Sequence, residues 1–302
     1  MIDDKARLIS RRSVLAGSGA LLASPAVMGG SLLSESEIRQ KTKHMHLSLA
    51  AYSVRKALTS GEKTLFDFID WCAELGLPGT ELTSYYFEED FDSTYLRRLR
   101  NRAFRNGVTI SGTAIRNNFC LPPGPEKDKE VAQVKEWLDY AADLFAPHVR
   151  IFAGRIPDGA DKESAIQWTA DGIKAVLDHA AKRGVVVGLE NHGGITDLAV
   201  DLLAICKQVG KHPWFGVNLD TGNYQQNPYE ELRQTAPLAV NVQIKVAITQ
   251  DGKKVPADLE RLRDILVETS YRGWVALEYE APEDPFKEIP KYMTELGRLF
   301  GA

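Results

Sequence analysis

The sequence is 302 residues long, 44% hydrophobic and 26% charged, a globular composition that excludes a disordered or fibrous chain and allows one large domain or two small ones. Lys and Arg number 37 against 41 Asp and Glu, a formal charge of -4, and no basic domain stands out, so nucleic acid is not expected as a partner. The cysteines, Cys72, Cys120 and Cys206, form no disulfide framework and no CxxC pair, which argues against structural thiolate zinc.

The opening MIDDKARLISRR carries four basic and two acidic side chains, and residues 13–34 carry no charge. A basic head before a modest apolar stretch, broken by glycines and Pro25, has the layout of an export signal and is too weakly apolar for a permanent membrane anchor. Ser10-Arg11-Arg12-Ser13-Val14-Leu15 resembles a twin-arginine signal. The resemblance implies export of an already folded protein, with a periplasmic location and no stable membrane insertion after cleavage. Residues 1–34 are thus expected to be signal peptide or N-terminal extension, and 44–302 the folded domain.

Beyond the signal, short apolar runs alternate with amphipathic stretches. Strands are predicted at 46–54, 79–84, 108–114, 149–153, 185–190, 215–220, 240–245 and 274–279. Helices are predicted between and after them at 65–75, 92–106, 127–145, 163–183, 196–208, 228–235, 257–269 and 287–299, several stopped by a glycine such as Gly76, Gly107 or Gly184. Strand-helix alternation implies right-handed parallel crossovers. Repeated this often, and without remainder, it predicts an α/β fold: a closed (β/α)8 TIM barrel in a single domain. A doubly wound sheet is the alternative, but its early glycine fingerprint is missing, and no Walker motif is present. The run Cys120-Leu-Pro-Pro-Gly-Pro125 reads as a loop over the barrel mouth.

Barrel chemistry sits at the C-terminal ends of the strands. Four of the last strands end in polar residues that their apolar neighbours do not explain: Glu190 in GLENHGG, Asp220 in NLDTGN, Gln243 in NVQIKV and Glu278 in ALEYEAPED. A buried carboxylate must be paired, hydrogen-bonded or metal-bound. Three converging on one mouth repel unless a cation sits between them, and an oxygen-rich set suits Mg²⁺ or Mn²⁺. Helix caps and salt bridges would account for any one of the four.

LENH, LDTGN, VQIK and ALEYE, in that order, resemble the sugar isomerase/epimerase superfamily of xylose-isomerase-like barrels, which includes tagatose epimerases, inosose dehydratases and hydroxypyruvate isomerase. The resemblance covers roughly residues 45–298. It implies one divalent ion, Mn²⁺ or Mg²⁺ with Co²⁺ or Zn²⁺ as alternatives, on Glu190, Asp220, Gln243 and Glu278. It further implies that Glu190 and Glu278 move a proton next to a carbonyl, through an enediolate, on a small carbohydrate. Two positions depart from the family: Gln243 stands where a His is usual, and Asn223 stands where the family's Asp-x-x-His places a His.

Substrate contacts are expected from His192, Asn223, Lys245, Glu81 and Arg155, with His46 and Arg116 as further mouth candidates and Tyr85 or Phe119 as a stacking aromatic. His148, His179 and His212 read as structural or solvent-facing. Export argues against a phosphorylated substrate and favours a sugar, cyclitol or keto-sugar. The alternatives are a metal-dependent lyase or dehydratase on an oxidised sugar or glycoside, and a non-catalytic exported carbohydrate-binding barrel. The apurinic endonuclease branch of the fold would need more histidines at the mouth.

Overall fold

The computed structural model describes residues 34–301. The twin-arginine run and all of the expected export segment but Ser34 lie outside the described residues. In chain order the elements are α1 (Glu35–Thr42), β1 (Met45–Ala50), α2 (Arg55–Thr59), α3 (Leu65–Glu74), β2 (Gly79–Thr83), α4 (Ser93–Arg105), β3 (Thr109–Ala114), α5 (Pro125–Leu144), β4 (His148–Ile151) and α6 (Lys162–Arg183). They continue with β5 (Val186–Glu190), α7 (Ala199–Val209), β6 (Phe215–Asp220), α8 (Pro228–Thr235), β7 (Ala239–Ile244), β8 (Ala247–Gln250), β9 (Lys253–Pro256), α9 (Leu259–Glu268), β10 (Gly273–Leu277) and α10 (Pro285–Phe300).

Eight parallel strands close a barrel in the order β1-β10-β7-β6-β5-β4-β3-β2, the single-domain (β/α)8 architecture expected from the alternation of elements. The seam is β1, with Leu47 beside Val275 of β10 and Leu49 beside Thr80 of β2. Helix starts follow the capping chemistry written in the sequence. Asp92, Asp161, Asp258 and Asp284 accept backbone N–H groups at the starts of α4, α6, α9 and α10, and Thr64 with Asp67 forms a reciprocal capping box on α3. Gly184 stops α6 in the left-handed region at φ 70°.

Three features differ from the sequence expectation. Helix α1 precedes the barrel; Thr42 is buried and Lys41 Nζ donates to Val267 O at 3.3 Å, so tertiary contacts hold a short polar segment helical. The first strand stops at Ala50, and the chain turns through a 3-10 turn, Ala51–Val54, into α2. After β7 comes an antiparallel hairpin, β8–β9, in which Gln250 pairs with Lys253 across Asp251 (φ 50°) and Gly252 (φ 72°). Asp-Gly between alternating residues is a hairpin signal, since both turn residues need positive φ.

The apolar core lies between the barrel wall and the helices. Leu189, Val217, Val242 and Val275 are fully buried on the strands, as are Ile173, Val176 and Ala180 on α6. The lumen is different. Asn241 Nδ2 of β7 donates to Glu81 Oε2 of β2 at 3.0 Å, and Arg150 Nε of β4 meets Glu190 Oε2 of β5 at 2.8 Å. β2 and β7 are not neighbours in the sheet, so the first contact crosses the interior. His148 opens β4, with its ring across the glycines of the flanking strands. A Cβ on Gly188 would lie 2.3 Å from Nε2, and one on Gly112 would lie 3.0 Å from Nδ1. Burial, then the Arg150 charge, push the His148 imidazole down to about 3, against the opposite pull of Glu190.

Because this pKa lies below the ordinary 6.5, the unfolded chain takes up the proton first as pH falls. Stability is then lost as the pH drops from 6.5 towards 3. His148→Leu fills the same space without titrating, so its urea-unfolding free energy should fall less steeply over that window than the parent's. Parallel curves would contradict the assignment. Gly188→Ala should cost about 1–3 kcal/mol by overpacking against the same ring.

Candidate active site at the barrel mouth

The polar residues inside the barrel fall into three linked groups. The deepest is a closed ring of side chains. Gln243 Nε2 donates to Glu81 Oε1 at 2.6 Å, Asn241 Nδ2 to Glu81 Oε2 at 3.0 Å and to Asn218 Oδ1 at 2.8 Å, and Asn218 Nδ2 to Gln243 Oε1 at 2.7 Å. All four are at most 2% exposed. Burial, then the charge of Glu278, push the Glu81 carboxyl up to about 7, while Arg150 and the two amides pull it back. Both Glu81 oxygens are thus taken up by this ring, away from the substrate position expected for them. Gln243 is likewise engaged at both ends of its amide.

The second group surrounds Glu190 at the end of β5. Oε2 lies 2.8 Å from Arg150 Nε, while Oε1 takes His192 Nδ1 at 2.5 Å and Asn223 Nδ2 at 3.1 Å. Burial alone would raise the carboxyl. The Arg150 charge, then the His192 hydrogen bond, reverse this and hold it below the ordinary carboxylate range. The His192 ring stacks on Phe152 at 4.0 Å between centroids, and the Arg150 guanidinium also lies over the Phe152 ring, 3.9 Å from its centroid. Burial lowers the His192 pKa, but the Glu190 hydrogen bond and charge outweigh it and leave the pKa raised. The His192 side chain is 52% exposed, and with Nδ1 held by Glu190, Nε2 is the nitrogen left to serve the mouth.

Lys245 centres the third group. Its Nζ lies 2.9 Å from Glu278 Oε2 and 3.1 Å from Asp220 Oδ2, and it also contacts Glu280 Oε1. The Asp220 contact is ionic rather than an aligned hydrogen bond, since Oδ2 has no hydrogen-bond partner among the described residues. Burial opposes the charge on Lys245, but Asp220, Glu278 and Glu280 raise its pKa well above the ordinary lysine value. Burial raises Asp220 to about 7 even with Lys245 beside it. Glu278 sits against β7 because its N–H donates to Ile244 O at 2.9 Å.

The four expected metal ligands are thus divided among all three groups. Among the described residues no group of three or more His, Cys, Asp and Glu is arranged to hold a metal ion. Glu190 Oε1 and the Gln243 carbonyl accept protein hydrogen bonds, Glu190 Oε2 is ion-paired with Arg150, and an ammonium stands between Asp220 and Glu278. This arrangement of side chains does not fit a divalent ion on Glu190, Asp220, Gln243 and Glu278.

Other expectations divide as well. Asn223 and Lys245 lie in the site. Arg155 is exposed, its Cγ close to Gly194, and no contact joins it to the Glu190 group. His46 is exposed near the start of β1, with its ring 5.5 Å from Trp274, so it belongs to the opposite end of the barrel. Phe119 is fully buried against Gly172 of α6 and is no stacking platform; Lys127 Nζ pins its carbonyl at 2.8 Å. Tyr85 does reach the mouth. With Tyr52, Arg55, Tyr86 and Arg116 it lines a cleft of about 640 Å³, and Arg116 lies over its ring at 5.0 Å. Tyr85 also acts electrostatically on Arg150, and Tyr86 is raised by burial, then by Tyr52, with the charges of Arg55 and Glu278 also acting on it. The cleft is therefore electrostatically continuous with the charged groups. Sequence reasoning missed Arg150, although a charged residue inside the apolar run Val149-Arg150-Ile151-Phe152 carries the same signal as Gln243 in its own strand.

The family model for the xylose isomerase-like TIM barrel matches residues 69–296. Solved structures show the same fold at low identity. D-psicose 3-epimerase, in a structure determined in the presence of D-fructose, gives a TM-score of 0.69 at 15% identity, covering 85% of this chain and 100% of that one. The IolI protein with a bound zinc atom gives 0.68 at 16%, covering 85% and 98%. The probable 3-DHS dehydratase AsbF from Bacillus anthracis, involved in petrobactin synthesis, gives 0.65 at 17%, covering 83% and 99%. No curated protein matches the sequence.

Removing Arg150 strands a buried carboxylate. Arg150→Met should cost about 3–5 kcal/mol in urea unfolding, and combining it with Glu190→Gln should recover part of that loss. Additive costs in the double variant would mean that the pair is not coupled.

Proposed function

The chain belongs to the xylose isomerase-like TIM barrel family, and we propose that it moves a proton next to a carbonyl of an unphosphorylated sugar, cyclitol or keto-sugar, as an isomerase or epimerase. The observation that carries this reading is the half-exposed His192 imidazole held by the buried Glu190 carboxylate at the end of β5. A carboxylate on Nδ1 fixes the ring's tautomer and orientation and leaves Nε2 to take or return a proton.

Glu190 is thereby a positioning residue, not the base itself: two hydrogen-bond donors and the Arg150 charge hold it, and its proton affinity is low. Glu278, with one oxygen held by Lys245, is the second proton carrier in this reading. It follows β10, three places around the barrel from β5, so the two carriers approach the substrate from different sides. Proton return to the same carbon from the other side gives epimerisation, and return to the adjacent carbon gives isomerisation. Asn223 hydrogen-bonds substrate hydroxyls, and the tyrosine and arginine cleft supplies aromatic faces and donors to the rest of a polyol. Export through the N-terminal segment, itself a proposal, favours unphosphorylated substrates. The same deprotonation followed by departure of a leaving group would give elimination, and product analysis of one incubation distinguishes these outcomes.

The test is solvent exchange. The protein is incubated in D₂O with a panel of ketoses, cyclitols and keto-glycosides, with and without added Mn²⁺, and deuterium at carbon is followed by NMR. Exchange is expected with the parent chain and should fall about 10²- to 10⁴-fold in His192→Ala. Undiminished exchange in that variant removes His192 from the chemistry. Binding without exchange across the panel would instead assign a non-catalytic carbohydrate-binding barrel.

A further inference from the structure

The sequence pattern places a divalent cation among the strand-end carboxylates, and the structure places the ammonium of Lys245 there. We propose that Lys245 is the resident cation of this site, a built-in substitute for the metal ion, and that its presence excludes divalent metal from the barrel mouth. The inference rests on reading the mouth as the active site, but not on the reaction assigned to it.

Three carboxylates share one nitrogen: Nζ lies 2.9 Å from Glu278 Oε2 and 3.1 Å from Asp220 Oδ2, and it contacts Glu280 Oε1. The side chain has little freedom to leave. Lys245 is 8% exposed, and its backbone N–H donates to Thr221 Oγ1 at 2.8 Å. Its stem packs on Gly222, where an added Cβ would lie 2.6 Å from Lys245 Cγ and 2.8 Å from its Cβ. Gly222 thus leaves open the channel through which the lysine reaches the carboxylates. The two other expected ligands are committed elsewhere, Glu190 to Arg150, His192 and Asn223, and Gln243 to Glu81 and Asn218.

A divalent ion entering here would lie within a few ångströms of a buried ammonium, and like charges at that range repel strongly where water is excluded. It would also need oxygens that now accept protein hydrogen bonds. Replacement of the family's histidine by Gln243 removes the one nitrogen ligand of the set, and Lys245, two residues on, supplies the charge. The resulting site recognises substrate oxygens by charge and by hydrogen bonds from N–H donors, with no inner-sphere chelation.

Mn²⁺ binding decides the matter without reference to activity. The full chain, purified without chelator, is titrated with Mn²⁺, and the free-ion EPR signal reports uptake. The parent is expected to take up no ion stoichiometrically and to melt at the same temperature with Mn²⁺ or EDTA. Lys245→Ala is expected to take up one Mn²⁺ per chain and to gain thermal stability from it. Gln243→His with Lys245 retained is expected to take up none. Uptake of one ion by the parent, abolished by Asp220→Asn, overturns the proposal. So does a folded Lys245→Ala chain that binds no Mn²⁺ even when Gln243→His is added. If Lys245→Ala does not fold, the Gln243→His chain decides: uptake overturns the proposal and its absence supports it. A chain that excludes Mn²⁺ yet exchanges no substrate proton would keep this inference and refute the proposed reaction.

Discussion

Charge placed inside a closed barrel has to be neutralised inside it, and that constraint organises this protein. Glu81, Glu190, Asp220 and Glu278 are each at most 7% exposed. Water cannot solvate them, and an isolated buried carboxylate is expensive. The structure answers these four in three ways. Two amides hold Glu81, a guanidinium and an imidazole hold Glu190, and one ammonium serves Asp220 and Glu278. Every other feature of the mouth follows from this division of labour. His192 acquires its orientation from Glu190, Gln243 is drawn inward by Glu81, and Asn218 closes the amide ring because Gln243 has a carbonyl to satisfy.

The fold was legible because its determinants are local. Strands and helices are told apart by the period of their apolar residues, and the helix limits are marked by Asp92, Asp161, Gly184 and their like. The hairpin β8–β9 was not read, although Asp251-Gly252 carries a turn signal; its short strands fill the stretch left unassigned between the seventh strand and its helix. Helix α1 was not, since the Glu35–Thr42 segment carries weak helical signals and is held by contacts such as Lys41 with Val267.

Site residues were located better than they were interpreted. Strand-end polarity singled out Glu190, Asp220, Gln243 and Glu278, because a polar residue closing an apolar run is a local anomaly, and the structure places all four among the buried polar groups. What each one touches is not local. Gln243 meets Glu81 across 162 positions of sequence and Lys245 meets Glu278 across 33. The polar pattern marks where carboxylates lie, but the contact each makes depends on a neighbour such as Lys245, whose ammonium pairs with Asp220, Glu278 and Glu280. Arg150 was overlooked for a related reason. Inside a four-residue strand it resembles an edge position, and only the opposing Glu190 reveals that it faces the lumen.

The seam between β1 and β10 has a consequence for biogenesis. Nearly the whole described chain lies between these two hydrogen-bonded strands, so the ribosome must release β10 before the sheet can close. Until then β1 and β7 each present an open edge, and Lys245 waits for Glu278, which follows β10. Contacts of such long sequence separation form slowly. A nascent barrel of this kind keeps those unpaired strand edges exposed until β10 has been made.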